Sequence, residues 1–586
     1  MREIPFAVKD IEQQTADLDP ASNALARGLT KLNVKKGDRV AVSLGNNIEF
    51  ATATYALFKL GATLVPLNPG FNATQVVSAL SHLEATHLLI GTETNLPRKA
   101  PRSNISMLQH LIPNLGGTRV ESELVPSLKS VVLVENSTGR VDVTPLKCTD
   151  KYEHVLEDGG DGRALPDQGL DPDEVVNIQF TSGTTSMPKA ACLTHRSILN
   201  NGKSIGDRML LTERDIVCCP PPLFHCFGCI LGYMATATHG SAIVFPAEAF
   251  DPAATLKSVQ EEQCTALYGV PTMFVAELEL LQNGTIPYEG FQHLRTGIAA
   301  GSSIPAELMR KLHKILNLTE LTICYGMTET SPVSAMTTTD DPIDKRIDSV
   351  GRLMPHVEAK IVSPTDRSEI LSVRQRGELA VAGYLVMKEY WGSPERTAEV
   401  MLPDDNGKVW MHTGDEAEMD ADGYIKVRPL PPFPPAAPSR TDVHPSSPKQ
   451  ITGRIKDLII RGGENIHPLE IENALFAHPR IAEVSVVGFP DERYGECVAA
   501  FIVRHASARD ASAKATPDGG GDPPLTAEDV RAWVAARLGH WMVPKYVWWV
   551  EGYPKTASGK IQKFRLREEG VRRLREGDGQ VGKGGG

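Results

Sequence analysis

Short apolar runs alternate with amphipathic stretches through much of the chain. Near its start, the strand-like runs RVAVSL, TLVPL and THLLIG are separated by the helix-like stretches FATATYALFKLGA and TQVVSALSHLEA. The alternation returns at SAIVF, AATLKSVQEEQ, TALYGV, LRTGIAA and LTICYG. Strands that alternate with helices predict a largely parallel sheet covered on both faces. The pattern therefore predicts an α/β fold.

Two segments lack this periodicity and indicate how the chain is divided. Residues 428–450 (RPLPPFPPAAPSRTDVHPSSPKQ) are rich in proline and serine, as solvated linkers and loops are. Residues 506–524 contain PDGGG and predict a second loop. We expect an N-terminal region over residues 1–452 that carries 428–450 as an insertion, a smaller C-terminal domain over 453–570, and a flexible tail over 571–586.

Composition and charge exclude several classes of protein. The 586 residues carry a net charge of −11, without the basic surplus that nucleic-acid binding needs. The nine scattered cysteines indicate a reducing compartment, and the Cys226/Cys229 pair has no second ligand pair at zinc-finger spacing. No run reaches the roughly 20 apolar residues of a membrane span. Neither end resembles a targeting signal, so we expect a cytoplasmic protein.

Two polar segments follow predicted strands and suit a bound Mg-nucleotide. After VVNIQF comes FTSGTTSMPK, residues 180–189, which offers hydroxyls, backbone N–H groups and one lysine to a polyphosphate. It is not a Walker A loop, because GxxxxGK[ST] is absent. After LTIC comes YGMTET, residues 325–330, which combines an aromatic ring, a hydroxyl and a carboxylate. These groups suit stacking on a base and binding of Mg²⁺.

Three further segments carry groups of related chemistry. Thr413-Gly414-Asp415 follows the strand-like VWMH and places a carboxylate where it could accept both ribose hydroxyls. GRIKDLIIRGGEN, residues 453–465, joins a polar turn to an apolar strand and a Gly-Gly hairpin. PKTASGK, residues 554–560, is a glycine-containing loop that presents a lysine.

In this order, the five segments resemble those of the adenylate-forming (AMP-binding) superfamily. Within it, PLNPGFNATQVVSAL, PLFHCFG, YGMTETSP and IRGGENIHPLEIEN are most similar to medium- and long-chain fatty acyl-CoA synthetases, and the resemblance covers about residues 24–569. It implies two α/β subdomains plus a β-barrel-like subdomain, followed by a small mobile α+β C-terminal domain. The implied activity is an acid–thiol ligase that uses ATP to form an acyl-AMP and passes the acyl group to CoA.

The resemblance also implies which residues bind the nucleotide. The residues implied to form the phosphate loop are Thr181, Ser182, Gly183, Thr184, Thr185 and Lys189. Those implied to hold the base and the ribose are Gly301, Ser302, Ser303, Tyr325, Asp415 and Arg454. Thr328 and Glu329 are implied to contact phosphate, with Glu329 also a ligand to Mg²⁺.

Catalytic roles are implied for Lys560, His225 and Glu329. Lys560 matches the lysine that bridges the acid's carboxylate and the α-phosphate, and His225 lies where the family has an aromatic or histidine beside that carboxylate. Lys456 matches the hinge between the domains. The glycine pair of the hairpin, implied to approach the pantetheine arm of CoA, is Gly462 and Gly463.

Two alternatives remain open, and departures from the family pattern bear on the second of them. Ser186 and Ala190 replace glycines usual in the phosphate loop, which would strain the chain if those positions need positive φ. One alternative is an acyl-AMP ligase that loads the thiol of an acyl carrier protein in a lipopeptide or polyketide pathway. The other is a non-catalytic relative that binds a nucleotide or acyl group. The expected partners are otherwise a carboxylic acid, ATP and CoA.

Overall fold

The computed structural model describes most of the chain. The residues described are 8–9, 18–96, 100–181, 189–301, 304–429, 459–461, 464–466, 468–491, 495–505, 525–538, 540–556 and 559–576.

A seven-stranded sheet forms the first subdomain. Its strands lie in the order Ala190–Thr194, Val175–Phe180, Thr63–Pro66, Arg39–Ser43, His87–Gly91, Ser130–Val134 and Asp150–Lys151. All neighbouring pairs are parallel except the first, which is antiparallel. Val40 and Val42 pack into one apolar cluster and Ala41 into another, so both faces of the sheet are buried. Burial on both faces explains why these strands read as continuous apolar runs.

An eight-stranded sheet forms the second subdomain. Its strands lie in the order Val8–Lys9, Ala242–Val244, Ile216–Cys218, Ala266–Gly269, Thr296–Ala299, Glu320–Gly326, Val333–Met336 and Arg352–Leu353. The pairs are parallel up to Glu320–Gly326, and the last two strands add in antiparallel fashion. The later strand-like runs of the sequence are thus confirmed in this sheet.

The third subdomain is a five-stranded antiparallel sheet. Val357–Val362, Gly377–Gly383, Val409–Met419 and Met401–Pro403 follow one another in the sheet, and Ile425–Pro429 pairs with Val409–Met419. Among the residues that the structure describes, this sheet is open and does not close into the expected barrel-like subdomain. Its last strand reaches two residues into the expected insertion, which starts at residue 428.

The C-terminal domain is built on a separate sheet. Glu464–Ile466, Ile459–Arg461, Gly495–Arg504 and Ile481–Asp491 lie in that order, and Tyr546–Trp549 pairs in parallel with Gly495–Arg504. Arg461 pairs with Glu464, so the strands on either side of residues 462–463 form an antiparallel pair, as the hairpin prediction requires. A short ribbon of Glu93–Thr94 and Arg102–Ser103 lies apart from the four sheets.

Helices connect the strands. Those of the larger region are Leu18–Lys31, Ile48–Leu60, Ala73–His82, Ile105–Leu111, Tyr152–Gly159, His195–Arg208, Ala235–His239, Pro252–Glu261, Pro271–Gln282, Ala306–Leu316, Ile343–Asp348 and Pro394–Val400. Those of the C-terminal domain are Pro468–Phe476, Ala527–Ala535 and Lys563–Arg575. Phe227–Met234 is a π-helix, and Thr328–Thr330 and His540–Met542 are 3₁₀ turns. In the described residues, no helix is long and apolar enough to cross a membrane.

Local signals fix where these helices begin and end. Ile48–Leu60 begins after Asn47, whose side chain accepts a hydrogen bond from the backbone N–H of Phe50 at 2.9 Å. It ends at Gly61, which takes the left-handed conformation with φ +67°. The helix-like stretch of the sequence is therefore confirmed, with its last turn closed by the glycine.

Candidate active site

The carboxyl ends of three neighbouring parallel strands meet on one side of the eight-stranded sheet. Ala266–Gly269, Thr296–Ala299 and Glu320–Gly326 pair side by side in the same direction. The residues that end or follow them include Tyr325 and Gly301. In open α/β sheets, the crevice at the carboxyl ends of the strands is the common place for a ligand.

Tyr325 and Asp415 come from different sheets and meet here. The Tyr325 hydroxyl donates a hydrogen bond to Oδ2 of Asp415 at 2.6 Å. Asp415 lies within the strand Val409–Met419, and only 6% of its surface is exposed. Gly414, with φ +69°, precedes it in the left-handed conformation that favours glycine. The sequence had placed these two residues in one nucleotide site.

A buried tyrosine connects Glu329 with Lys189. The Tyr390 hydroxyl donates to Oε1 of Glu329 at 2.6 Å, and Nζ of Lys189 lies 4.7 Å from the centroid of the same ring. Tyr390 is held in place by its segment, which pairs with the edge strand Ala190–Thr194 through a bridge to Ala191. The cation and the carboxylate thus share one rigid aromatic neighbour.

His225 lies in the turn before the π-helix. Its Nδ1 accepts a hydrogen bond from the backbone N–H of Phe227 at 3.2 Å. Burial, together with the nearby positive charge of Lys560, lowers the pKa of His225 to about 3. The imidazole is therefore neutral near pH 7. Because Nδ1 accepts, its single proton is on Nε2.

The neighbouring thiols fix this turn against the sheet. Sγ of Cys226 donates to Oε1 of Gln179 at 3.0 Å, and Nε2 of Gln179 donates to Sγ of Cys229 at 3.1 Å. Burial raises the pKa of the Cys226 thiol, whereas its hydrogen bond with Thr328 lowers it. The thiols thus remain protonated, and Cys226 connects the His225 turn to the segment that carries Thr328.

Lys560 is presented by a tight hairpin of the C-terminal domain. The backbone N–H of Thr556 donates to the carbonyl of Lys560 at 2.7 Å, and the N–H of Lys560 donates to Oγ1 of Thr556 at 3.0 Å. Gly559 has φ +82°, and a Cβ there would lie 2.8 Å from Cγ2 of Val270. The hairpin therefore needs glycine both for its backbone conformation and for space.

The hairpin docks onto the larger region beside the strand ends. Oγ1 of Thr272 donates to the carbonyl of Gly559 at 3.0 Å. A Cβ placed on Gly301, which has φ +89°, would lie 3.4 Å from Cε of Lys560. The aliphatic part of Lys560 thus runs past Gly301, and its charge acts on His225.

The structure brings the described site residues into one region. The contacts join Tyr325 to Asp415, Glu329 to Lys189 through a tyrosine, and Lys560 to Gly301. The backbone N–H of Thr181 donates to the carbonyl of Lys189 at 2.8 Å, which closes the neck of the expected phosphate loop. In the described part of the chain, no group of three or more His, Cys, Asp or Glu residues could hold a metal ion by itself.

Other expected site residues lie outside the described residues. These are Ser182, Gly183, Thr184, Thr185, Ser302, Ser303, Arg454, Lys456, Gly462 and Gly463. Ser186 belongs with them, whereas Ala190 lies at the start of a strand, opposite Phe180. Ala190 is absent from the residues with positive φ, so it adds no strain of the kind that a missing glycine would cause.

Two residues at this site could not be predicted from the sequence. Tyr390 lies in a stretch with no polar motif, where an aromatic residue reads as part of the core. Thr272 lies in the first turn of the helix Pro271–Gln282, where its hydroxyl looks like an ordinary surface group. Each of them is brought to the site by a contact with a residue far away in the sequence, Tyr390 with Glu329 and Thr272 with Gly559.

Comparison with known proteins gives two family matches along the chain. Residues 7–391 match the AMP-binding enzyme family, and residues 470–560 match the AMP-binding enzyme C-terminal domain. The chain belongs to the AMP-binding enzyme family. The first match contains the expected phosphate loop and Tyr325, and the second ends at Lys560.

Relatives with named activities cover nearly the whole AMP-binding chain. The acyl-CoA ligase sidI of Aspergillus fumigatus is 41% identical over 94% of this chain and 85% of its own. The putative acyl-CoA synthetase YngI of Bacillus subtilis is 35% identical over 97% of this chain and 94% of its own. The mitochondrial medium-chain acyl-CoA ligase ACSF2 of Danio rerio is 34% identical over 98% and 86%. The activity is therefore AMP-forming, ATP-dependent ligation of an acid to CoA.

Solved structures share the fold at lower identity. ATP-bound MatB from Rhodopseudomonas palustris superposes with a TM-score of 0.74 at 23% identity, over 97% of this chain and 96% of that one. The anthranilate CoA ligase AuaEII, in complex with anthranoyl-AMP, gives a TM-score of 0.77 at 20% identity, over 97% and 95%. These matches confirm the α/β architecture with a small C-terminal domain.

Proposed function

We propose that the residues around the strand ends form the adenylation site, in which an acid and ATP react to give acyl-AMP. The observation that supports this most strongly is the docked hairpin, which brings Lys560 from the C-terminal domain to Gly301 and His225. The proposal keeps the domain boundary near residue 453, with the hinge at Lys456.

The chemistry needs a cation and a neutral donor at the reacting groups. The acid's carboxylate attacks the α-phosphorus of ATP, and negative charge builds up on the phosphoryl oxygens as pyrophosphate leaves. Lys560 stabilises that charge. His225 is neutral with its proton on Nε2, so it donates a hydrogen bond to the carboxylate and adds no second positive charge that would repel Lys560.

The nucleotide would be held from two sheets. The ring of Tyr325 stacks on adenine, and Asp415 accepts the ribose hydroxyls while it keeps its hydrogen bond from Tyr325. Gly301, Ser302 and Ser303 form the strip that the family resemblance implies for the other side of the base. In this proposal Lys189, Thr181 and Thr328 contact the phosphates of ATP.

Glu329 suits Mg²⁺ that is bound mainly by substrate. Mg²⁺ prefers oxygen ligands and is usually held by one or two carboxylates plus phosphate oxygens. Glu329 offers a carboxylate whose Oε1 is fixed by Tyr390, with the Thr328 hydroxyl one residue away. When bound, the ion neutralises phosphate charge, and this chain's part is to hold the carboxylate rigidly.

The second half-reaction would use a different segment of the C-terminal domain. In this proposal the domain rotates about Lys456, Lys560 leaves, and the Gly462–Gly463 hairpin guides the thiol of CoA to the acyl carbonyl. In this proposal the acid is a medium- or long-chain fatty acid, and the ACSF2 relatives, which are medium-chain ligases by name, support the medium-chain choice. A carrier-protein thiol is the alternative acceptor, and supplying CoA and a carrier in competition separates the two.

Lys560→Ala tests the assignment. Loss of a charge-stabilising contact of this kind slows the step by about a hundredfold or more. We expect acid-dependent ATP–pyrophosphate exchange to fall by that amount, while thioester formation from a supplied medium-chain acyl-AMP continues.

The matched control is Lys555→Ala, which removes a lysine of the same hairpin whose Nζ pairs with Glu483 at 3.2 Å. Exchange that survives Lys560→Ala within about tenfold would refute the role of Lys560. Complete absence of exchange in the unaltered protein, with every acid tried, would favour the non-catalytic alternative.

A cytoplasmic location is part of the proposal. All nine cysteines are free thiols, and eight of them are buried, which fits a reducing compartment. Since the ACSF2 relatives are mitochondrial by name, fractionation of cells with an antibody to this chain distinguishes the two locations.

A further inference from the structure

The turn before the π-helix, which carries His225, is held by two buried amide side chains of the first subdomain. At its start, Nδ2 of Asn46 donates a hydrogen bond to the carbonyl of Pro221 at 3.0 Å. At its end, the thiol of Cys226 donates to Oε1 of Gln179 at 3.0 Å. His225 thus lies between two points at which the second subdomain is attached to the first.

Gln179 uses both ends of its amide group in this attachment. While its Oε1 accepts from Cys226, its Nε2 donates to Sγ of Cys229 at 3.1 Å. Only 2% of the surface of Gln179 is exposed, and a buried amide without partners is destabilising, so these two bonds confine the side chain to one orientation. They thereby fix where the start of the π-helix Phe227–Met234 lies on the strand Val175–Phe180.

The start of the π-helix in turn fixes His225. The backbone carbonyl of His225 accepts a hydrogen bond from the N–H of Cys229 at 3.1 Å, and its Nδ1 accepts from the N–H of Phe227 at 3.2 Å. Because Nδ1 is engaged in this way, the orientation of the ring follows the position of the helix start. The direction of the proton on Nε2 therefore depends on the contacts of Gln179.

The same contacts reach two further segments of the candidate active site. The thiol of Cys226 also forms a hydrogen bond with Thr328, the residue before Glu329. The strand that contains Gln179 ends at Phe180 and leads directly into the expected phosphate loop. One amide and one thiol therefore join the three segments that carry the phosphate loop, the His225 ring and the Glu329 carboxylate.

We infer that Gln179 is a positioning residue for adenylation, which sets His225 relative to the phosphate loop through the thiol of Cys226. The inference rests on the proposed function, in which His225 donates a hydrogen bond to the acid's carboxylate. Attack on the α-phosphorus needs the two reacting atoms about 3–3.5 Å apart, and a misplacement of about 1 Å can slow such a step about a hundredfold. Gln179 acts on that distance because its strand delivers the phosphate loop while its amide holds the turn of the carboxylate donor.

Gln179→Met tests this role in the full chain. Methionine is unbranched and similar in length to glutamine but has no amide, so the space stays filled while both thiols lose their partner. We expect the KM for a medium-chain acid in ATP–pyrophosphate exchange to rise about tenfold and the KM for ATP to change by less than about twofold. The second value stays nearly constant because Tyr325 and Asp415, which are bonded to each other, are not held by this amide.

Cys226→Ala and Cys226→Ser give a second test that does not depend on how well Gln179→Met folds. Alanine removes the donor, so the KM for the acid should rise as in Gln179→Met, whereas serine keeps a donor and should bring it to within about threefold of the unaltered value. The double variant Gln179→Met/Cys226→Ala should be no worse than the more impaired single variant, because both changes remove the same link. The control is Cys264→Ala, which removes an equally buried thiol that donates to the carbonyl of Ser258 at 3.6 Å, and it should leave the KM for the acid unchanged.

Several results would overturn the inference. One is a KM for the acid within about twofold of the unaltered value in both Gln179→Met and Cys226→Ala. Another is a parallel rise in the KM values for acid and ATP, which a role in packing alone predicts, and a third is equal behaviour of serine and alanine at position 226. Lys560→Ala, measured alongside, separates the two proposals: loss of exchange there with an unchanged KM for the acid in Gln179→Met leaves the proposed function standing. Absence of exchange in the unaltered protein would overturn both.

Discussion

Glu277 is the least expected single residue in this structure. It lies on the helix Pro271–Gln282 with 0% of its surface exposed, and within the described residues neither of its carboxyl oxygens has a hydrogen-bond partner. Burial raises the pKa of Glu277 to about 8. At neutral pH it is therefore mostly protonated inside an apolar cluster, on the helix whose first turn holds the Lys560 hairpin.

Glu277→Gln should remove a pH dependence of stability. The raised pKa means that the folded state keeps a proton that the unfolded state loses above about pH 4.5. Stability is thus highest below that pH and falls by at most about 1.4 kcal/mol per pH unit up to about pH 8. We expect the melting temperature of Glu277→Gln, relative to the unaltered protein, to rise between about pH 5 and pH 8. The exposed Glu261→Gln is the control, and an equal change in both would contradict the prediction.

The docked hairpin is the element on which the proposed first step depends. Its contact with the larger region includes a side-chain donor, Thr272, and a backbone acceptor, the carbonyl of Gly559. A hydrogen bond of this kind contributes about 1 kcal/mol. That amount is enough to change the population of the state in which Lys560 is docked at the strand ends.

Thr272→Val should slow adenylation without affecting thioester formation. Valine keeps the shape of threonine but has no hydroxyl, so we expect ATP–pyrophosphate exchange to fall by roughly fivefold. Thr272→Ser restores the hydroxyl and should restore the rate. If serine and valine behave alike, the hydrogen bond has no part in docking.

The strands and helices could be predicted from the sequence more readily than the long-range contacts between their residues. RVAVSL became Arg39–Ser43 and FATATYALFKLGA became Ile48–Leu60, because periods of two and 3.6 residues are local properties of the chain. The long-range contacts could not be predicted in this way. Tyr390 is 61 residues from Glu329, and Thr272 is 287 residues from Gly559, so no local pattern records either contact. That the third sheet is open could likewise not be predicted, since closure of a barrel depends on strand tilt and register rather than on apolar alternation.

At the scale of the whole molecule, the two regions touch at more than the active site. Nζ of Lys311, on the helix Ala306–Leu316, lies 5.4 Å from the centroid of the Phe476 ring in the C-terminal domain. Phe476 also packs with the apolar cluster of the second subdomain. The proposed rotation about Lys456 must break these contacts together with the hydrogen bond at Thr272.

Substitution at the hinge should impair one half-reaction, whereas deletion of the insertion should leave adenylation unchanged. Proline fixes φ near −65°, so Lys456→Pro should impair one half-reaction far more than the other, and we expect thioester formation to suffer more.

Deletion of residues 430–450, which spares the strand Ile425–Pro429, should leave adenylation intact because long loops cost little. Both half-reactions are measured in both variants. Equal loss of the two steps in Lys456→Pro would remove the hinge assignment, and loss of adenylation on deletion would make the insertion structural.

The carbonyl that Thr272 binds has a consequence for how such enzymes diversify. Every residue has a backbone carbonyl, so this hydrogen bond depends on the backbone conformation of the C-terminal hairpin and not on a particular side chain. The side-chain requirement that the contact itself shows is glycine at position 559. A C-terminal domain from a distant relative that keeps a glycine before its lysine would meet the same threonine in the same way. This contact is therefore one that an exchange of C-terminal domains between such enzymes need not rebuild, in contrast to the side-chain contact between Lys311 and Phe476.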